Sequence, residues 1–157
     1  MQQFFKENFP SKFVFHDFPH TQNVVEVAQQ IGTEYKLTDK ELEILQLAAW
    51  FHDTGYYKTP EGHEELSCQL AESYLMQRYY EPGDIEAVKG CIIATRVPQN
   101  PQNLMEEILC DADLSHLGNE WYWDRCGRLR QEMLMTKKIL MSEQEWVDFE
   151  LDFMMRH

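Results

Sequence analysis

The stretch TDKELEILQLAAWFHDTG, from Thr38 to Gly55, writes a helix and then ends it on two residues that sit poorly beside an apolar run. Its opening T-D-K-E is a capping box, in which the threonine and glutamate side chains each satisfy an orphan backbone N–H of the first turn. Leu42, Ile44, Leu45, Leu47, Ala48 and Ala49 follow at helical spacing. The run reaches the adjacent pair His52-Asp53, and Gly55 stops it. Burying an unpaired His and Asp where a helix leaves the core is costly, whereas a bound cation satisfies both. Taken alone, such a pair is more often structural, with Asp53 bonding the following turn and His52 packed as a satisfied core histidine.

The rest of the chain repeats the helical pattern between short polar breaks, with no internal repeat, low-complexity tract or linker. The expected class is all-α, with about six to seven helices. A first strong helix opens near Pro19 or His20 and carries Val24, Val25, Val27, Ala28 and Ile31 up to Gly32. After the Thr38 helix, others are expected over about 64–79, 84–95 and 103–117, bounded by Pro82-Gly83, Pro98, Pro101 and Gly118. A long amphipathic helix over 119–140 follows, and Ser142 with Glu145 caps a last one. That last helix carries no stop signal, which leads us to expect a chain shorter than its natural relatives.

At 157 residues with 43% hydrophobic content, the chain suffices for one domain over 1–157 that buries roughly two-thirds of its unfolded surface. Its formal net charge of −13 repels phosphate backbones and anionic lipid, so neither nucleic acid nor membrane is expected as a partner. A small phosphorylated molecule remains compatible, because a divalent cation supplies the positive charge. Cys68, Cys91, Cys110 and Cys126 form no C-x-x-C pair and read as reduced residues. MQQFFKENFPSKF lacks a signal-peptide pattern, and no apolar run is long enough to span a membrane. A cytoplasmic protein is therefore expected.

Further polar residues join the His52-Asp53 pair. His20 opens the first strong helix, and ILCDADLSHLG sets Asp111 and Asp113 in an otherwise apolar helix. Two imidazoles and two carboxylates from three apolar helices would make a mixed N/O site suited to Mn, Fe, Zn, Co or Mg.

From about His16 to Gly118 the segments FHDFPHTQNVV, LAAWFHDTGYY, GHEELS, CIIAT and LCDADLSHLG occur in the order and spacing of a known family. The chain resembles the HD-domain superfamily of metal-dependent phosphohydrolases, whose pattern is one His, an adjacent His-Asp and a distant Asp on helices. The resemblance implies a compact HD-type bundle, with a metal-site core at about 16–118 and C-terminal helices at about 119–157. It also implies that His20, His52, Asp53 and Asp113 are the metal ligands. Asp113 is preferred to Asp111 because the last ligand usually follows an alanine, here Ala112.

His16-Asp17 occupies the place of a Tyr-His-Asn-like segment in relatives, with Asp17 departing from the usual Asn. Pro19 biases Phe18 away from helical dihedrals, so His16 is expected in a loop that bends over the site as a phosphate contact or proton donor; an exposed loop histidine is the other reading. Dinuclear members add two histidines. One matches His63 of His63-Glu64, while the other falls at Ala94-Thr95-Arg96 and is missing, so one firm divalent metal site and a doubtful second are implied. Glu64 could hydrogen-bond an attacking water, or simply suit the helix dipole.

Lys58 and Arg96 are candidates for binding substrate phosphate. Trp121, Tyr122 and Trp123 in EWYWDRCGRLR read as core before they read as a nucleobase-stacking wall, and a subunit contact in a homo-oligomer is the third role open to them. The Met-rich tail reads as adaptable packing.

The implied activity is metal-dependent hydrolysis of a small phosphate ester, a nucleotide phosphomonoester first. Asp53 is a ligand that also holds a proton, and Glu64, His63 and His16 assist as catalytic groups. Cyclic-nucleotide or alarmone phosphodiester and pyrophosphate hydrolysis are the alternatives, as is a catalytically silent metal- and nucleotide-binding sensor. A di-iron oxygenase would need the missing histidine.

Overall fold

Side-chain caps set four of the eight helix starts among the described residues. The computed structural model describes residues 1–156, and over them the chain forms helices α1 (Gln2–Asn8), α2 (Phe18–Glu34), α3 (Asp39–Phe51), α4 (His63–Met76), α5 (Pro82–Ala94), α6 (Leu104–Asp113), α7 (Tyr122–Lys137) and α8 (Glu143–Arg156). One 3-10 turn, Ser115–Gly118, follows α6, and no strand occurs among the described residues. Thr38 and Glu41 form the expected capping box of α3. Ser142 and Glu145 exchange the same bonds at the start of α8, and the Asn103 side chain accepts from the Glu106 N–H to open α6. Helix α2 starts at Phe18, a residue earlier than Pro19 alone predicts, because the Asp17 carboxylate accepts the His20 N–H at 2.9 Å and pulls Phe18 into the first turn.

The core lies among α2 to α6. Val24, Val25 and Ala28 of α2 meet Ile44, Leu45, Ala48 and Ala49 of α3, with Leu75, Val88, Ile92, Ile108 and Leu109 closing the other sides. The α2–α3, α2–α6, α3–α5 and α4–α5 packings share this one apolar cluster. Each fully buried leucine, such as Leu45, contributes about 1.5–3 kcal/mol of apolar burial. Gly55 fixes how α3 hands over to α4. A Cβ there would lie 2.2 Å from the His63 carbonyl oxygen and 2.8 Å from the Ser67 nitrogen, so only glycine lets the turn pass beneath the first turn of α4. Its N–H donates to Ser67 Oγ at 2.8 Å.

Outside this core the sequence pattern is less informative. The expected 103–117 helix stops at Asp113, where Leu114 (φ −88°, ψ 4°) leaves helical geometry and the 3-10 turn begins. Helix α1 was not expected; it buries Phe5 against the rings of Phe9 and Phe18. Trp121 and Trp123 are 63% and 80% exposed, which overturns their reading as core: α7 packs on the molecule through Cys126 and Glu132 and turns both indoles outward. All four cysteines are buried free thiols. No helix among the described residues is long and apolar enough to cross a membrane.

Candidate metal centre

Three helices deliver the central cluster. His20 lies in the first turn of α2, His52 caps the end of α3 with Asp53 in the turn just after it, and Asp113 ends α6. His20 Nε2 is 3.1 Å from Asp113 Oδ1 and 3.4 Å from Asp53 Oδ2. His52 Nε2 is 3.2 Å from Asp53 Oδ2 and 3.5 Å from Asp113 Oδ1. One donor atom each from His20, His52 and Asp113 lies within 4.8 Å of the others, a spread suited to a single cation. His52 is oriented from behind, its Nδ1–H donating to the Ala49 carbonyl at 2.7 Å and leaving Nε2 as the lone-pair nitrogen turned into the cluster.

These contacts are close, yet they lack the angular geometry of hydrogen bonds. His20 Nε2, His52 Nε2 and Asp53 Oδ2 are buried without a hydrogen-bond partner among the described residues. Leaving three such atoms unsatisfied in one place is costly, and a divalent cation held by His20, His52 and Asp113, with Asp53 beside them, would satisfy them. The donor set of two imidazole nitrogens and two carboxylates therefore fits the metal that the sequence implied. In the protein alone, burial works against charge on His20 and His52, but the Asp113 and Asp53 carboxylates outweigh it and hold both imidazoles above their ordinary range. Asp53 and Asp113 are held well below theirs, burial being outweighed by the imidazoles around them. Asp111 points away from the cluster and is solvent-exposed, so its helix does have an exposed face, and the choice between the two aspartates falls on Asp113.

A cavity of about 600 Å³ opens over the cluster. Asp53, Asp113, His63, Glu64, His16 and Arg96 all line it. His63 Nε2 is 3.3 Å from Asp53 Oδ1, and its Nδ1–H donates to the Pro60 carbonyl at 3.1 Å. Glu64 is buried, and its Oε2 carries no hydrogen bond although Arg96 Nε lies 3.4 Å away. Arg96 also pairs with Glu65, so its charge is shared between two carboxylates at the rim. Thr95, at the place of the missing histidine, turns its hydroxyl to the Ile92 carbonyl instead of offering a ligand. Lys58 is exposed and is not among the residues that line the cavity; the turn that begins at Gly55 carries it outward.

Several lining residues carry no legible signal in the sequence. Tyr56 stacks on His16 at 3.7 Å between ring centroids, and burial together with the neighbouring Glu132 carboxylate raises its phenol. His116 packs edge-on to Phe15, donates through Nδ1–H to the Asp113 carbonyl at 3.2 Å, and is pushed down to about 4 by burial and the charge on His20. Lys137 and Arg156, from the ends of α7 and α8, supply cations to the cavity wall. Of these, Tyr56 and His116 lie in segments whose wording marked them, LAAWFHDTGYY and LCDADLSHLG, though neither residue stood out within its segment.

The profile of the HD-domain family matches residues 18–139. Among solved structures, the fold is similar to the crystal structure of a predicted HD superfamily hydrolase from an uncultured Thermotogales bacterium. That likeness is 21% in sequence identity with a TM-score of 0.68, and covers 99% of this chain and 87% of the other. No curated protein matches the chain.

Proposed function

The chain belongs to the HD-domain family, and from that premise we propose that it is a metal-dependent phosphohydrolase acting on a small phosphate ester, a nucleotide phosphomonoester first. The observation that carries the proposal is the trio of buried, unsatisfied donor atoms on His20, His52 and Asp53, facing Asp113 at the floor of a cavity. A bound divalent cation would be held by these four residues and would supply Lewis acidity to a phosphoryl group and to water.

The remaining steps belong to the chain's own groups. Asp53 Oδ1, 3.3 Å from His63 Nε2, forms with it a pair able to take up a proton from the attacking water. Glu64 Oε2, buried and without a hydrogen bond, is placed to orient that water. Arg96 stands at the rim to meet a phosphate oxygen, and Lys137 and Arg156 are further cations of the wall. His16 overhangs the cluster, its ring 6.2 Å from that of His20 and 6.4 Å from that of His63. That is too far for a shared ligand and near enough for a group bound between them.

The test is phosphate release from nucleoside monophosphates, cyclic nucleotides and aryl phosphates by metal-stripped protein resupplied with Mn, Fe, Co, Zn or Mg. Metal-dependent turnover is expected, with the monophosphates fastest. Stoichiometric metal and nucleotide binding without turnover would replace the hydrolase with a sensor.

A further inference from the structure

The cavity does not end at the metal cluster. It runs on between the 3-10 turn and helices α7 and α8, where Leu117, Leu129, Met133, Phe149 and Phe153 give it apolar walls. At about 600 Å³ it has the size of a pocket for a whole small molecule, well beyond what a phosphoryl group fills. Among the polar groups of this second compartment, Arg156 is already paired with Asp152 at 2.6 Å. Glu150 stands apart. It is only 9% exposed, it lines the cavity, and no Lys or Arg pairs with it among the described residues. Tyr122 O–H and Cys126 S–H both donate to its Oε2, each at 3.1 Å, so its hydrogen bonds fall on one oxygen. Oε1 accepts none among the described residues and is not sealed off, which leaves an acceptor bordering the apolar compartment.

We propose that the compartment between α7 and α8 holds the base of the substrate and that Glu150 Oε1 accepts N–H bonds from its edge, with guanine preferred; this rests on the nucleotide reading above. Charge sets the direction of the substrate. The Glu150 and Asp152 carboxylates repel a phosphate from this end, whereas a metal at the cluster and Arg96 at the rim attract it to the other. A flat ring fits between apolar side chains such as Met133 and Phe149, and its polar edge then meets Glu150. Guanine offers a carboxylate two adjacent donors, N1–H and the 2-amino group. Hypoxanthine lacks the amino group, and uracil sets its one N–H between two carbonyls that a carboxylate repels.

Glu150→Gln separates recognition from support of α8. Tyr122 O–H and Cys126 S–H still require an acceptor, which keeps the amide oxygen at the Oε2 position and presents the NH2 group to the base. Calorimetric titration of the metal-loaded protein with guanosine, inosine and uridine reads the base alone, since none of them carries a phosphate. The wild type should bind guanosine tighter than the other two by roughly tenfold to a hundredfold, with the same order in kcat/KM for the 5′-monophosphates. Glu150→Gln should lose that preference and favour uridine, a reversal that a merely loosened helix would not produce. Equal affinity for the three nucleosides in the wild type, or a Glu150→Gln variant that weakens all three alike, would overturn the inference. A wild type that hydrolyses p-nitrophenyl phosphate but does not distinguish the bases would remove the base assignment and leave the phosphohydrolase reading intact. Guanosine selected, metal bound and no ester hydrolysed would sink the phosphohydrolase reading and leave the base compartment standing.

Discussion

Two sites in this molecule bury carboxylates, and they complete them in opposite ways. At the bundle centre, Asp53 Oδ2 and the Nε2 atoms of His20 and His52 are enclosed with no hydrogen bond among the described residues. Beneath the N-terminal loop, Glu132 is enclosed with both oxygens filled by the Phe15 and His16 backbone and the His16 ring. A buried charge persists only when paired or fully hydrogen-bonded. The Glu132 site is thus finished by the chain itself, and the Asp53 site is finished by something the chain binds. One organises, the other reacts.

Crossing the two sites breaks or sharpens that contrast. The largest effect is expected of Asp53→Ala, which should take bound metal from about one per chain to near none and lower hydrolysis beyond the roughly 10–100-fold typical of outer partners. Metal analysis and phosphate release read this. Glu132→Leu should do the reverse. It leaves two backbone N–H groups without an acceptor at about 1–3 kcal/mol each, visible as a lower midpoint in urea, while metal content holds. If both variants lost metal equally, the two sites would not be distinct.

A smaller effect concerns pH. Burial works to raise the Glu132 carboxyl, but the His16 and backbone hydrogen bonds outweigh it and hold it below the ordinary value of 4.5. Between its folded and unfolded pKa the unfolded state binds more protons, so Glu132 contributes stability that is whole above about 4.5 and is lost as pH falls through the folded value. The stability gap between wild type and Glu132→Gln should therefore narrow in urea titrations taken progressively below that pH. A gap that widened would reverse the sign. The smallest effect is expected of Trp123→Ser, within about 0.5 kcal/mol of wild type, because the indole is 80% exposed.

How far each site could be read in advance follows from the same contrast. His20, His52 and Asp53 were legible because a polar pair ending an apolar helix is a local anomaly, and the segments around them resembled a family. Asp113 against Asp111 was not settled by helical spacing; it took the packing of α6 to send one inward and leave the other in solvent. Glu132 was illegible, since in RLRQEMLMTKK a glutamate looks like any solvated helix residue and its partners lie 116 and 117 positions away. Trp121 and Trp123 misled for a related reason. Aromatic residues on a helix announce a face, but which face meets the core depends on how α7 docks. The all-α bundle itself was written in the caps and apolar spacing of α2 to α6, whereas the seven-residue α1 is too short for periodicity to show.

The central claim is that the unsatisfied cluster holds a metal through Asp113 and not its neighbour. The most direct measurement is metal content by mass spectrometry of wild type, Asp113→Asn and Asp111→Asn after equal exposure to Mn, Fe, Co, Zn and Mg and exhaustive dialysis. The account predicts about one ion per chain in the wild type and in Asp111→Asn, and a large loss in Asp113→Asn. A wild type that retains none, or an Asp113→Asn variant as fully loaded as the wild type, would contradict it.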